Sequence, residues 1–296
     1  MEYGDKHILV LGAGASGIGA SWVLAQVGAH VVLNDYKPMT LPTAEEKRLV
    51  AAGVNIITGR QDESLLDGVD RIVISPGISL DIPIVKAAQA RGIDVVSEVE
   101  LAYEVSKSPI VAVTGTNGKT TTTTLLTKVL EGSGKPVHVG GNIGDSLSEV
   151  AYSMPADGFL VAELSSYQLE TIKHFRPIGA IMLNITPDHL ARHKTMENYI
   201  AAKERIFENQ LSTDYLVLNI DDPVVADMEH RAPSHILKIS QKKAVENGAY
   251  YADGKCYIAK DGVAKFVIAD EDIHIPGSHN IENILTVIAL SYALGV

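Results

Sequence analysis

Between an apolar, β-branched run and a helical pattern lies Val113-Thr114-Gly115-Thr116-Asn117-Gly118-Lys119-Thr120-Thr121. In this setting the amides of Gly115, Thr116, Asn117 and Gly118 can cradle an anion. Lys119 can reach the β- and γ-phosphates, and the hydroxyls of Thr120 and Thr121 follow it, where a P-loop coordinates Mg²⁺. Val113 stands where the general pattern G-x-x-x-x-G-K-[ST] has its first glycine, so the match is a variant. A Thr-rich helix cap with a surface lysine has the same composition; the strand-to-helix position favours the phosphate reading. A second turn of this kind, Gly12-x-Gly14-x-x-Gly17 with Ala15 and Ser16 inside it, precedes another helical segment, and Asp35 ends the next strand. Such glycines allow a tight turn and close approach of amides to a phosphate, and an acid at that distance is placed to accept from a ribose. A tight βα turn without ligand fits the same residues. Two phosphate-cradling turns about a hundred residues apart argue for two phosphorylated ligands, whereas a dehydrogenase needs one nucleotide.

Further residues could support a metal. Glu163 closes the strand-like run Phe159-Leu-Val-Ala-Glu and is followed by Leu164-Ser165-Ser166. A carboxylate there could hold Mg²⁺ beside the P-loop hydroxyl, or serve as a helix cap or ion pair. Asp188-His189 follows another strand, at a sheet edge where ligands gather, although a histidine so placed is more often solvated or packed. His189 and His193 are spaced i,i+4, but Leu190 stands where a zinc protease needs glutamate. Asn184-Ile-Thr186 fits a glycosylation pattern and is set aside for an intracellular chain.

These residues require strands and helices to position them, and the chain supplies both. At roughly 150 residues per domain, 296 residues predict two domains. Strand-like runs at 7–11, 30–34, 54–58, 71–75 and 93–97 alternate with helical patterns at 16–27, 43–52, 82–90 and 98–106, the signature of βαβ units on a parallel sheet. Lys107-Ser108-Pro109 is read as a break, giving a Rossmann-like domain over 1–107 and a P-loop-type α/β domain over 108–296. In the latter, strands are expected at 110–114, 159–164, 180–184 and 215–219, with helices at 119–131, 196–209 and 279–294. Short alternating pieces over 249–267, punctuated by Asp253-Gly254 and Asp261-Gly262, predict a small antiparallel part. Thirty-six acidic against 25 basic residues, net charge −11, argue against nucleic acid or an anionic membrane as partner. The single cysteine, Cys256, excludes an internal disulfide and fits a reducing cytoplasm. Residues 8–33 carry no formal charge, but glycines at 12, 14, 17, 19 and 28 break the stretch, so no membrane insertion is expected.

Six segments in register resemble the Mur ligases: Thr114-Gly-Thr-Asn-Gly-Lys-Thr120, Gly140-Gly-Asn-Ile-Gly144, Glu163-Leu-Ser-Ser-Tyr-Gln-Leu-Glu170, Leu183-Asn-Ile-Thr-Pro-Asp-His189, Ala202-Lys-Glu-Arg-Ile206 and Gly277-Ser-His-Asn280. Ser75-Pro-Gly-Ile78 points to the D-glutamate-adding branch. The resemblance implies an ATP- and Mg²⁺-dependent amide ligase of peptidoglycan synthesis that joins D-glutamate to UDP-N-acetylmuramoyl-L-alanine through an acyl phosphate; a monomer is the default expectation. It assigns ATP to residues 115–121 with His279, Asn280 and Asn283. The UDP substrate falls to Gly14, Ala15, Ser16, Gly17, Asp35, Tyr36, Lys37, Ser75, Pro76, Gly77, Gly141, Asn142 and Ser165. Lys119, His189 and Lys203 are implied to be catalytic, and Mg²⁺ to have two sites drawn from Thr120, Glu163, His189 and Lys203. Lys203 would take part as a carbamate, because an ammonium cannot ligate a cation; read alone, it is an ordinary surface lysine. The family continues into a third, carboxy-terminal domain, and the sequence stops at Val296, so this chain alone is expected to bind ligands and catalyse poorly. Competing readings are a folylpolyglutamate-type ligase, a non-catalytic nucleotide-binding fragment and, for 1–107 only, an NAD dehydrogenase.

Overall fold

The computed structural model describes residues 3–275, 277 and 279–296 and separates into two compact units. In the first, β1 (His7–Leu11), α1 (Ala15–Gln26), β2 (His30–Asp35), α2 (Thr43–Ala51), β3 (Asn55–Thr58), β4 (Arg71–Ile74), α3 (Pro83–Ala90), β5 (Asp94–Ser97) and α4 (Glu98–Val105) follow in order. The strands form a five-stranded parallel sheet ordered β3-β2-β1-β4-β5. Alternate residues of β1 face opposite layers: Ile8 and Val10 pack with Ala20, Leu24 and Leu33, whereas Leu9 and Leu11 pack with Ile72, Ile84 and Val85. With both faces covered, the strands are nearly continuous apolar runs. The order reverses at β1, so the Gly-rich turn leaves the sheet at a topological switch point.

The second unit contains a nine-stranded sheet ordered β14-β13-β12-β11-β10-β9-β6-β8-β7. These strands are β6 (Ile110–Thr114), β7 (Val137–Gly141), β8 (Phe159–Glu163), β9 (Gly179–Met182), β10 (Tyr215–Asn219), β11 (His235–Ser240), β12 (Gly248–Ala252), β13 (Lys255–Lys260) and β14 (Val263–Ala269). The later helices of the chain are α5 (Lys119–Glu131), α6 (Leu147–Ser153), α7 (Ser166–Leu169), α8 (Leu190–His193), α9 (Met196–Glu204), α10 (Pro223–Asp227) and α11 (His279–Ala293). Strands β6 to β12 pair in parallel and β12 to β14 antiparallel, giving the expected α/β architecture. Asp253-Gly254 and Asp261-Gly262 all have positive φ (49°, 71°, 50° and 76°), the conformation of tight hairpin turns. Leu126, Leu130, Val111, Val161, Ile181, Val217, Leu285 and Leu290 share one core. Among the described residues no helix is long and apolar enough to cross a membrane.

Several elements depart from the sequence reading. The strand expected to reach Asn184 stops at Met182, because residues 183–186 turn toward the P-loop. The helix expected over 196–209 ends at Glu204 and tightens into a 3₁₀ turn at Arg205–Phe207. The edge strand β7 was hidden by its two glycines, and β11 and the short helices α6, α7, α8 and α10 carry too little periodicity to be read. The first compact unit ends its opening stretch at Lys107 but also includes Gly144–Ser153 and Tyr167–Phe175. Two buried carboxylates hold these segments. Glu100 accepts the amides of Lys173, His174 and Phe175 at 2.8, 2.8 and 3.0 Å, and Glu98 accepts the amide and hydroxyl of Ser148 at 3.1 and 2.9 Å.

Candidate functional site

The second unit's site is built around the turn from β6 into α5. Gly115 and Gly118 have φ of 150° and 84°. A Cβ on Gly118 would also lie 2.6 Å from Asn283 Oδ1, so this corner requires glycine twice over. The loop after β9 braces the turn from outside. Asn184 accepts the Thr116 amide through its carbonyl (2.9 Å) and the Asn117 amide through Oδ1 (2.8 Å), while its Nδ2 donates to Asn117 O (3.1 Å). Thr186 donates its amide to Thr116 Oγ1 (3.0 Å). The segment resembling a glycosylation pattern is thus the clamp of the P-loop. Thr120 stands exposed in the first turn of α5 and Thr121 is half-buried beside it.

Two ammonium groups converge on this turn. Lys119 Nζ donates to Gly115 O (3.1 Å) and Thr116 O (2.9 Å), so its charge is folded over the loop. Lys203 Nζ donates to the same Gly115 O at 2.7 Å. Lys203 is only 2% exposed, on a helix where sequence alone suggests a surface lysine. Burial lowers the pKa of both; Lys203 falls to about 7, with the Lys119 charge adding to the effect and Asp188 opposing it. Tyr199, one turn before Lys203, presents its ring 4.9 Å from Lys203 Nζ and its hydroxyl 3.0 Å from Thr116 Oγ1. Tyr199 is a site residue that only its i,i+4 spacing to Lys203 could have marked in the sequence.

Glu163 ends β8 with a buried carboxylate. Its Oε1 accepts from Asn142 Nδ2 at 2.8 Å, while Oε2 is buried with no hydrogen-bond partner. An orphaned carboxylate oxygen is costly unless something completes it, and a hard cation is the natural complement. The residues present therefore fit Mg²⁺ held jointly by protein oxygens and nucleotide phosphates. Among the described residues there is no group of three or more His, Cys, Asp or Glu side chains that could hold a metal alone. His189 sits in the left-handed region (φ 53°), with Nε2 3.5 Å from Asp188 Oδ2 and its ring 6.3 Å from that of Tyr199. Asn283 and Asn280 are buried: Thr122 Oγ1 donates to Asn283 Oδ1 (3.1 Å), and Asn283 Nδ2 to Asn280 Oδ1 (3.0 Å). In this arrangement Asn283 joins α11 to the start of α5. The His279 side chain lies outside the described residues.

In the first unit the three glycines of the turn are not equivalent. A Cβ on Gly17 would come 1.8 Å from Gly12 O, whereas one on Gly14 would meet nothing within 4 Å. Packing therefore requires Gly17, while Gly14 leaves its backbone open to a ligand. Gly14 and Ala15 are exposed and Ser16 is half-buried. Asp35 departs from its expected role as a simple ribose acceptor: Oδ2 takes the Ala13 amide (3.0 Å) and Oδ1 the Lys37 amide (2.9 Å), so the carboxylate braces the turn. Ser75 Oγ donates to Gly12 O at 3.2 Å, with Pro76 and Gly77 following at the same edge, and Tyr36 and Lys37 are exposed. Gly141, Asn142 and Ser165, the other residues expected to meet the UDP substrate, lie in the second unit, as their place within 108–296 implied, and stand beside Glu163.

Residues 113–291 match the family model described as Mur ligase middle domain, and residues 6–97 match Mur ligase MurD-like, N-terminal domain. The chain belongs to the Mur ligase family. It is 45% identical over 296 residues to a protein of Thermoanaerobacter sp. (strain X514) named UDP-N-acetylmuramoylalanine--D-glutamate ligase, and 42% identical over 298 residues to one of that name from Alkaliphilus oremlandii (strain OhILAs). It spans 65% of the length of the first of these and 66% of the second. Among solved structures, UDP-N-acetylmuramate:L-alanyl-gamma-D-glutamyl-meso-diaminopimelate ligase from Neisseria meningitides shares the fold, with a TM-score of 0.64 and 24% identity, covering 99% of this chain and 94% of that one. MurC from Thermotoga maritima matches with a TM-score of 0.53 and 25% identity, covering 98% of this chain and 65% of that one.

Proposed function

We propose that this chain carries the UDP-sugar-binding and ATP-binding parts of a cytoplasmic, monomeric ligase that joins D-glutamate to UDP-N-acetylmuramoyl-L-alanine. The observation that supports this most is the meeting of Lys119, Lys203, the P-loop amides and the orphaned Glu163 oxygen in one unit, with a second glycine turn in the other. Phosphoryl transfer requires mainly positioning and charge neutralisation. Because the Thr116 and Asn117 amides already donate to Asn184, the β- and γ-phosphates are met by the rest of the glycine turn and the N-terminus of α5, and Lys119 exchanges its loop carbonyls for phosphate oxygens. The muramoyl-alanine carboxylate attacks the γ-phosphorus, ADP leaves, and an acyl phosphate forms. The D-glutamate amine then adds to the acyl carbon, its nitrogen loses a proton, and phosphate departs as the amide forms.

Thr120 and Glu163 would hold one Mg²⁺, and His189 with a carbamate on Lys203 a second; bound there, Mg²⁺ neutralises charge on the transferring phosphoryl group. The near-neutral pKa of Lys203 suits carbamate formation: the free amine adds to CO₂, a C–N bond forms and a proton leaves. In the first unit, the backbone at Gly14, Ala15 and Ser16 receives the diphosphate, with Tyr36, Lys37 and the Ser75-Pro76-Gly77 turn around the uridine.

The test is hydroxylamine trapping. With UDP-N-acetylmuramoyl-L-alanine, ATP and Mg²⁺, the expected product is the hydroxamate of the muramoyl-alanine carboxyl, formed with ADP but slowly, since the chain spans only 65% of the length of its relative. A chain that instead binds a pterin substrate or NADH, and neither UDP nor ATP, contradicts the proposal.

A further inference from the structure

The buried pair Ser166 and His193 has no part in the chemistry above. Ser166 Oγ lies 2.9 Å from His193 Nε2, and the two residues are 1% and 6% exposed. Ser166 opens α7 on the turn that leaves β8, three positions after Glu163. His193 closes α8, four positions after His189. The His193 carbonyl also accepts from Asn198 Nδ2 at 2.8 Å, and its ring lies 5.4 Å from that of Tyr199, so it engages α9, which carries Lys203. The Ser166–His193 bond, together with the Asn198 and Tyr199 contacts of His193, therefore ties together the three segments bearing Glu163, His189 and Lys203.

The backbone around α8 shows why such a tie is needed. His189 before it and Lys194 after it both lie at positive φ, 53° and 71°. Left-handed conformations at non-glycine residues persist only where surroundings over-determine them. A four-residue helix between two such corners has little intrinsic stability. A bond from its last residue to the β8 turn fixes where His189 can stand relative to Glu163.

We propose that Ser166 and His193 are positioning residues: their hydrogen bond sets the spacing between the Glu163 turn and the His189 loop, and through it the strength with which the P-loop unit takes up Mg²⁺ with its nucleotide. This rests on the reading of 115–121 as a nucleotide site. Partners that orient metal-ligating groups typically change metal affinity by roughly 10- to 100-fold when removed. Reorganising a buried hydroxyl and imidazole adds to that loss.

The experiment titrates Mg²⁺ into wild-type chain, Ser166→Ala, His193→Ala, the double variant and His193→Gln at fixed AMP-PNP, following nucleotide binding by calorimetry, with UDP affinity and Tm measured alongside. Each single variant is expected to raise the Mg²⁺ concentration at half-saturation by roughly tenfold. The double variant should be no worse than His193→Ala, because the Ser166–His193 bond is already lost there. His193→Gln, whose amide nitrogen reaches a similar place, should recover most of the wild-type value, and UDP affinity should not change. If His193→Ala does not fold, Ser166→Ala and His193→Gln carry the comparison. Additive effects of the two substitutions, or lowered Tm with unchanged Mg²⁺ dependence, overturn the positioning role. Failure of the wild type to bind Mg²⁺·AMP-PNP overturns the nucleotide-site reading instead.

Discussion

The chain contains the same local construction twice, a glycine turn between a central parallel strand and a helix, yet the two turns differ in charge. In the first unit the turn after β1 is braced by a carboxylate, Asp35, through the amides of Ala13 and Lys37. In the second, the turn after β6 is braced by the neutral groups of Asn184 and Thr186 and capped by the ammonium groups of Lys119 and Lys203, both donating to Gly115 O. A diphosphate that is only held can be met by amides and a helix N-terminus. A γ-phosphoryl group in transfer needs cations aimed at developing charge. On the function proposed above, the difference separates a grip from a reaction centre.

Substitutions can break that comparison, and the largest effect should fall on packing. Gly17→Ala places a methyl against Gly12 O and should destabilise the first unit by about 3 kcal/mol, measured by urea unfolding, whereas Gly14→Ala should leave stability within about 0.5 kcal/mol and weaken UDP binding. Equal destabilisation by both would show that the turn is a packing device only. Next, Lys119→Ala should weaken AMP-PNP binding by roughly 10- to 100-fold, the worth of charge-assisted hydrogen bonds, with UDP affinity unchanged in the same calorimetric series. Asp35→Asn, which swaps one charged acceptor for a neutral amide, should cost about 1.5 kcal/mol in the first unit and spare the second.

The smallest effects are pH slopes, and they should have opposite signs. Burial raises the Glu98 pKa above its ordinary 4.5. Native Glu98 therefore keeps a proton that the unfolded chain has lost, and wild-type stability relative to Glu98→Gln should fall as pH rises above about 4.5. Native Lys203 loses its proton near pH 7, before the unfolded chain does near 10.5. Wild-type stability relative to Lys203→Met should therefore rise across that interval, in buffers freed of CO₂. Parallel slopes would mean that one of these groups is not buried as described.

What could be read from the sequence were the features with local causes. Both glycine turns, their strands and their helices follow from apolar runs broken by Gly-rich punctuation, and Asp-Gly at 253–254 and 261–262 marks the hairpins. Residues that act at a distance were not legible. Nothing local to Lys203 shows that it is buried under Gly115, and nothing local to Glu100 shows that it collects three amides from 173–175. That Asn184 and Thr186 brace the P-loop was not legible, because their partners lie some 70 positions away. The later segments drawn into the first unit were likewise invisible, since the Glu98 and Glu100 carboxylates that hold them lie far upstream.

The central claim is that one chain holds two different anionic ligands in two separate places. Calorimetric titration with UDP, then with Mg²⁺·AMP-PNP into the UDP-saturated chain, tests it directly. The account predicts one equivalent of each, with Lys119→Ala removing only the second and Gly14→Ala weakening only the first. Competition between UDP and AMP-PNP for a single equivalent would contradict it.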